Sequence, residues 1–152
     1  MVNLDDLYSG RILELAANIP RTERLDNPDA TTKAYSKLCG SRVTVDLDMA
    51  DGVVTDYGQE VKACLLGQSS AAIMGKHIVG STPDELREVG RIMRAMLKEN
   101  GPPPSGKWAD LALLEPVRDY KARHASTLLV FDAVEDALGQ IEEKRQAATE
   151  NA

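Results

Sequence analysis

The chain has 152 residues, with 24 acidic against 18 basic side chains and a formal net charge of −6. That length makes one domain whose core folds without disulfide staples, and the acidic balance excludes the electrostatic footprint of a nucleic-acid binder. Two cysteines, Cys39 and Cys64, cannot build the disulfide framework of a small secreted protein. Met1-Val2-Asn3-Leu4-Asp5-Asp6 is acidic rather than basic, and no apolar run reaches the roughly eighteen residues of a membrane span. The expectation is a cytoplasmic protein with reduced thiols and neither membrane nor nucleic acid as partner.

Leu4, Leu7, Tyr8, Ile12, Leu15, Ala16 and Ile19 recur at helical spacing, which predicts an amphipathic helix closed by Pro20. The polar stretch Arg21 to Lys37 has no clear period and reads as an exposed, ordered or semi-ordered loop with a turn at Asn27-Pro28-Asp29. From Arg42 the period becomes two: Val43, Val45, Leu47 and Met49 share one face, Thr44, Asp46 and Asp48 the other. Asp51-Gly52 is a hairpin signal, and Val53, Thr55 and Tyr57 resume the alternation. A small-residue helix follows Cys64. Thr82, Pro83 and Glu85 form a capping box for the next helix, whose stripe is Leu86, Val89, Ile92, Met93, Met96 and Leu97. A Met stripe at this spacing reads as core packing rather than a ligand box. Asn100 to Gly106, with three prolines, is a stiff connection, and Trp108, Leu111, Leu113, Leu114 and Val117 predict a short helix. The last helix is predicted to begin near Ser126-Thr127, with Val130, Ala133, Val134, Ala137, Leu138 and Ile141 on one face. The sum is an α+β fold, a small antiparallel sheet (hairpin) packed against several helices, as one domain over 1–140 with a frayed charged tail over 141–152.

Two features carry chemistry. Cys64 stands at the mouth of a predicted helix, where unpaired N–H groups and the dipole favour thiolate over thiol; the competing reading is a buried small hydrophobe. The hairpin returns Cys64 toward the level of Cys39, which makes the two thiols a candidate pair. Gly40 and Gly67 give the two flanking loops freedom to turn. No nucleophile and base pair, Gly-rich phosphate loop or paired carboxylates mark the chain as an enzyme, and His77 carries no assigned role.

Cys39-Gly40-Ser41, the hairpin, and Cys64 followed by Gln68-Ser69-Ser70-Ala71 resemble the iron–sulfur cluster assembly scaffolds of the IscU, SufU and NifU N-terminal type. The likeness runs from Leu4 to about Leu138, and the segments Lys98 to Val117 and Tyr120 to Arg123 look closer to SufU. The resemblance implies an accessory protein that accepts sulfur from a cysteine desulfurase, holds a transient cluster, [2Fe–2S] in type, and passes it to recipient apo iron–sulfur proteins. It also implies a Cys-Gly-Asp, a second cysteine and a third cysteine opening the last helix. Here the chain departs: Ser41 stands at the aspartate, and aligning on Asp132-Ala133-Val134 puts Ser126 at the third cysteine.

Hydroxyls are poor ligands for soft iron or zinc, so the ligand set implied is Cys39 and Cys64, with His124 as replacement donor; its competing reading is a surface histidine beside a Ser126 N-cap. Three functions follow. A scaffold or carrier could complete four ligands by forming a homodimer. A zinc-bound sulfur acceptor would use Cys39, Cys64 and His124, with Cys64 taking the persulfide. A degenerate member would keep the fold as a metal-free interaction module.

Overall fold

Alternation in the sequence becomes a three-stranded antiparallel sheet of order β1-β2-β3, built from β1 (Ala30–Tyr35), β2 (Arg42–Ala50) and β3 (Val53–Lys62). The computed structural model describes residues 8–37 and 40–150. The hairpin between β2 and β3 turns at Asp51 and Gly52, whose φ values of 55° and 80° are the left-handed pair that a two-residue turn needs. The register shifts between Asp48 and Met49, and the pairing skips Thr55. At the other end Arg42 pairs with Lys62, which sets Ser41 and Ala63 just beyond the ladder.

The strand β1 lies inside the stretch expected to be a loop. Its inward residues are Ala30, Thr32 and Ala34, small or polar side chains that give almost no hydrophobic alternation to read. Burial comes from the helix above: Thr32 Oγ1 donates to the carbonyl of Ala133 at 2.6 Å. The remainder of that stretch, residues 21–29, is the exposed loop expected, and it is held in place. Asp46 on the outer face of β2 is wholly buried and accepts from Arg24 Nε at 2.6 Å, Arg24 Nη2 at 3.0 Å, Leu25 N at 3.0 Å and Thr31 Oγ1 at 2.7 Å. The strand expected to be half-buried is therefore buried on both faces, since its outward carboxylate ties residues 24–31 across it.

Among the described residues four α-helices and two 3-10 segments cover the sheet: α1 (Gly10–Ala17), α2 (Leu65–His77), α3 (Pro83–Lys98) and α4 (His124–Glu150), with a long 3-10 run at Gly106–Asp119 and a short 3-10 turn at Lys121–Arg123. The first helix is shorter than its pattern, capped by Ser9 Oγ on Ile12 N at 3.3 Å; Leu4 and Leu7 lie outside the described residues. Almost every side of α2 is buried, against α1, α4, β3 and the 3-10 run, which is why its residues are Gly, Ser and Ala as often as large hydrophobes. Thr82 caps α3 as predicted, accepting from Glu85 N at 3.1 Å. The reciprocal half of the box is not made: the Glu85 carboxylate turns instead to Lys107, Trp108 and Ser81. Burial pushes that carboxyl up, but those hydrogen bonds and the Lys107 charge outweigh it and hold it below its ordinary value.

In the 3-10 run, Trp108, Leu111, Leu114 and Val117 are buried and spaced by three, the period at which 3-10 side chains eclipse, so this sequence favours the tighter helix. The last helix starts two residues earlier than predicted and is helical through Glu150, with Arg145 Nη2 donating to the Met49 carbonyl at 2.7 Å and Lys144 Nζ to that of Asp29 at 2.9 Å. Arg87 to Glu142, and Arg94 to Asp132 and Glu135, strap α3 to α4. No helix among the described residues is long and apolar enough to cross a membrane.

Candidate functional site

The strand β3 runs out at Lys62, and Cys64 is the N-cap of α2, with extended backbone (φ −66°, ψ 171°) and no side-chain capping bond. Serine or aspartate would cap here, so a cysteine leaves the first-turn N–H groups facing the thiol's surroundings rather than tied to its own side chain. The thiol is partly exposed and packs against the edge of the core. Its Sγ–H donates to Ser126 Oγ at 3.3 Å, and the Ser126 hydroxyl donates in turn to the carbonyl of Arg123 at 3.2 Å. From the other side, Cys64 N donates to Ser41 Oγ at 3.4 Å. Three of the positions singled out in the sequence, Ser41, Cys64 and Ser126, thus meet at one place, although they come from three separate elements.

Each element is held there for a local reason. The loop before β2 closes through Ser36 N to Ser41 O at 2.8 Å and Gly40 N to Ser36 O at 2.9 Å, with Gly40 at φ 70°, where a Cβ would be strained. Cys39 lies outside the described residues. Ser126 is brought in by the seam between α2 and α4, where Ser70 Oγ donates to the carbonyl of Thr127 at 2.7 Å. Gly67 is not a loop hinge, as its sequence context suggested, but a helical contact: a Cβ there would stand 2.8 Å from Ala63 Cβ and 3.1 Å from Ser126 O. Gly67→Ala is therefore expected to lower stability by about 1–2 kcal/mol despite alanine's better helix propensity, read as a lower Tm in thermal unfolding; a rise in Tm would mean that the seam has room to spare.

His124 is not the surface histidine of the competing reading. It is 8% exposed, opens α4, and its Nε2 lies 3.1 Å from both the Val117 and Arg118 carbonyls. Carbonyl oxygens only accept, so Nε2 carries the proton and the lone pair of the neutral ring is on Nδ1. Ser126 is correspondingly not the helix N-cap but sits inside the first turn, its hydroxyl bonded back to Arg123. Among the described residues no group of three or more His, Cys, Asp or Glu side chains is spaced to hold a metal ion. His77 stands apart, its ring edge-on to Trp108 with centroids 5.8 Å apart. The Cys64 to Ser126 contact is the feature that sequence reasoning reached only through alignment; the Ser70 and Gly67 seam that produces it was missed, and its one signal is the run of small residues on α2.

No family model matches the chain. Among curated proteins it is similar to the iron–sulfur cluster assembly scaffold protein IscU of Thermotoga maritima, 28% identical over 136 residues that span 89% of this chain and 94% of that one. Among solved structures it is similar to the N-terminal part of a nitrogen-fixing NifU-like protein of Brucella abortus, with 60% identity, a TM-score of 0.91, and coverage of 93% of this chain and 98% of that one. The SUF-system protein SufU of Fervidobacterium islandicum AW-1 shares the fold at a TM-score of 0.81 and 20% identity, over 90% of this chain and 99% of that one. Identity of this degree over nearly the whole of a NifU-like structure, on the architecture shared with SufU, makes the chain a member of the family of IscU, SufU and NifU N-terminal proteins.

Proposed function

We propose that the chain is an iron–sulfur cluster assembly scaffold or carrier in which Cys64 takes sulfur from a cysteine desulfurase and, with Cys39, holds a transient cluster for delivery to apo proteins. The observation that carries this reading is the meeting of Ser41, Cys64 and Ser126, three positions at which the resemblance implies site residues, around one partly exposed thiol. The relatives named above support the scaffold role: the Thermotoga protein is a cluster assembly scaffold, and the chain covers nearly all of it.

Sulfur transfer needs no outside oxidant. The Cys64 thiol attacks the outer sulfur of the desulfurase persulfide; the old S–S bond breaks, a new one forms at Cys64, and the desulfurase cysteine leaves with the proton. Ser126 Oγ accepts the hydrogen of the resting thiol, and on ionisation its own hydroxyl can turn from Arg123 to donate to the thiolate. The hydroxyl thus serves the sulfur through hydrogen bonding, a role open to an oxygen that ligates soft metals poorly.

The cluster is cargo. A [2Fe–2S] centre takes four protein ligands, and one chain offers two cysteines, so the reading is a homodimer sharing one cluster. The zinc alternative calls on His124 as third donor. Its Nε2–H is given to two backbone carbonyls, the arrangement that fixes the tautomer of a metal-binding histidine, and Nδ1 is the donor that alternative would use. The test is mass spectrometry after incubation with a cysteine desulfurase and cysteine. The Cys64 peptide is expected to gain one sulfur atom; an unmodified Cys64 under conditions that load a known acceptor would sink the assignment.

A further inference from the structure

Beside the start of α4 lies an open hollow of about 490 Å³ that the scaffold reading does not use. Its cations are Lys98 at the end of α3, Arg118 near the end of the 3-10 run, and Lys121 in the turn that follows. Asn100 contributes an amide to the wall, and Leu97 and Ala125 give it apolar patches. No carboxylate is among its described lining residues, in a chain whose net charge is −6. Arg118 has Glu115 3.5 Å away, but Lys98 and Lys121 have no ion pair among the described residues, so the hollow keeps an excess of positive charge that an entering anion would offset.

Arg118 strengthens the case. Its Nη2 donates to the carbonyl of Gly101 at 3.0 Å and stands 3.5 Å from Glu115 Oε2, which fixes the guanidinium in place. Its Nε is shielded from solvent and has no hydrogen-bond partner, the one such side-chain atom among the described residues. Arg118 lines the hollow with Nη2 engaged by Gly101 and Glu115 and Nε buried, so what it offers an oxyanion there is a positive charge fixed in place and the rest of its guanidinium edge. The hollow is larger than an inorganic ion needs and falls in the range of small-molecule sites.

We propose that this hollow is a binding site for a small, multiply charged organic oxyanion, a phosphate monoester or a polycarboxylate, with its charge between Lys98, Arg118 and Lys121 and its carbon body against Leu97 and Ala125. His124, the third donor of the zinc alternative, also lines the hollow, whereas Cys64 does not, and anion binding itself needs no cluster.

Isothermal titration of the full chain tests it, with adenosine monophosphate, tricarballylate and inorganic phosphate as separate probes at low and physiological ionic strength. One or both organic probes are expected to bind one per chain and more tightly than inorganic phosphate, and which binds identifies the source of the oxyanion. The Arg118→Gln variant and the Lys98→Gln/Lys121→Gln double variant are each expected to weaken binding about tenfold or more. The double variant changes only exposed side chains, so it keeps the test decisive if Arg118→Gln fails to fold. Absence of binding by every probe, or affinity unchanged in the folded double variant, would overturn the proposal.

Discussion

Ser126→Cys is expected to convert a cluster shared between two chains into one held by a single chain. Ser126 Oγ is already 3.3 Å from Cys64 Sγ, so a thiol placed there falls within reach of any metal that Cys64 binds. Sulfur is a far better ligand for iron than a hydroxyl, and three cysteines with His124 as fourth donor would complete the set within one chain. After anaerobic reconstitution the variant should carry about one cluster per chain in a monomeric species, and lose it to a chelator more slowly than the wild type. Size-exclusion chromatography with iron detection reads both. Cluster content and mass no different from wild type would mean that residue 126 does not face the metal.

The second large effect is structural. Asp46→Asn is expected to reduce the unfolding free energy by about 3 kcal/mol, measured by urea denaturation at neutral pH. The carboxylate is completely buried and accepts four hydrogen bonds from Arg24, Leu25 and Thr31. An amide presents a donor where one of those donors arrives and leaves Arg24 without its counter-charge. Burial raises the Asp46 carboxyl, but the hydrogen bonds from Arg24, Thr31 and Leu25 and the Arg24 charge prevail, and its pKa is lowered from 3.8. A depressed folded-state pKa means that the stabilisation is complete above the ordinary value and is lost as pH falls through the lower folded one. The difference between wild type and variant should therefore begin to shrink below about pH 4 and close only as pH falls through the lower folded-state value. A difference unchanged at acid pH would assign the loss to packing instead of charge.

Much of this molecule could be read from its letters because its strongest signals are local. Asp51-Gly52 fixes the hairpin, Val43 to Met49 sets the inward face of β2, and Thr82-Pro83 starts α3. What was hidden depends on partners distant in sequence. The edge strand β1 is buried by α4 through residues such as Thr32 that carry little hydrophobic signal, and the partners of the 21–29 loop, Asp46 for Arg24 and Leu25, Asp48 for Asp29 and Asp56 for Arg21, lie on β2 and β3. The 3-10 run could have been inferred from the spacing of Trp108, Leu111, Leu114 and Val117, which fits three better than three and a half.

The site divides in the same way. Ser41, Cys64 and Ser126 could be picked out because family resemblance marks their positions, and the register of the hairpin explains why Ser41 reaches Cys64. His124 was singled out for its imidazole and its place two residues before Ser126. Its ring turns to the carbonyls of Val117 and Arg118, an outcome set by the fold of the 3-10 run just before it, which no residue near His124 announces.

The most direct test of the scaffold reading is iron, zinc and acid-labile sulfide analysis of protein purified without air, with Cys39→Ala and Cys64→Ala alongside. Iron and sulfide in equal amounts in the wild type, at about one [2Fe–2S] cluster per two chains, and neither in either folded variant, is the predicted result. Stoichiometric zinc without sulfide, or no metal under any condition, would contradict it.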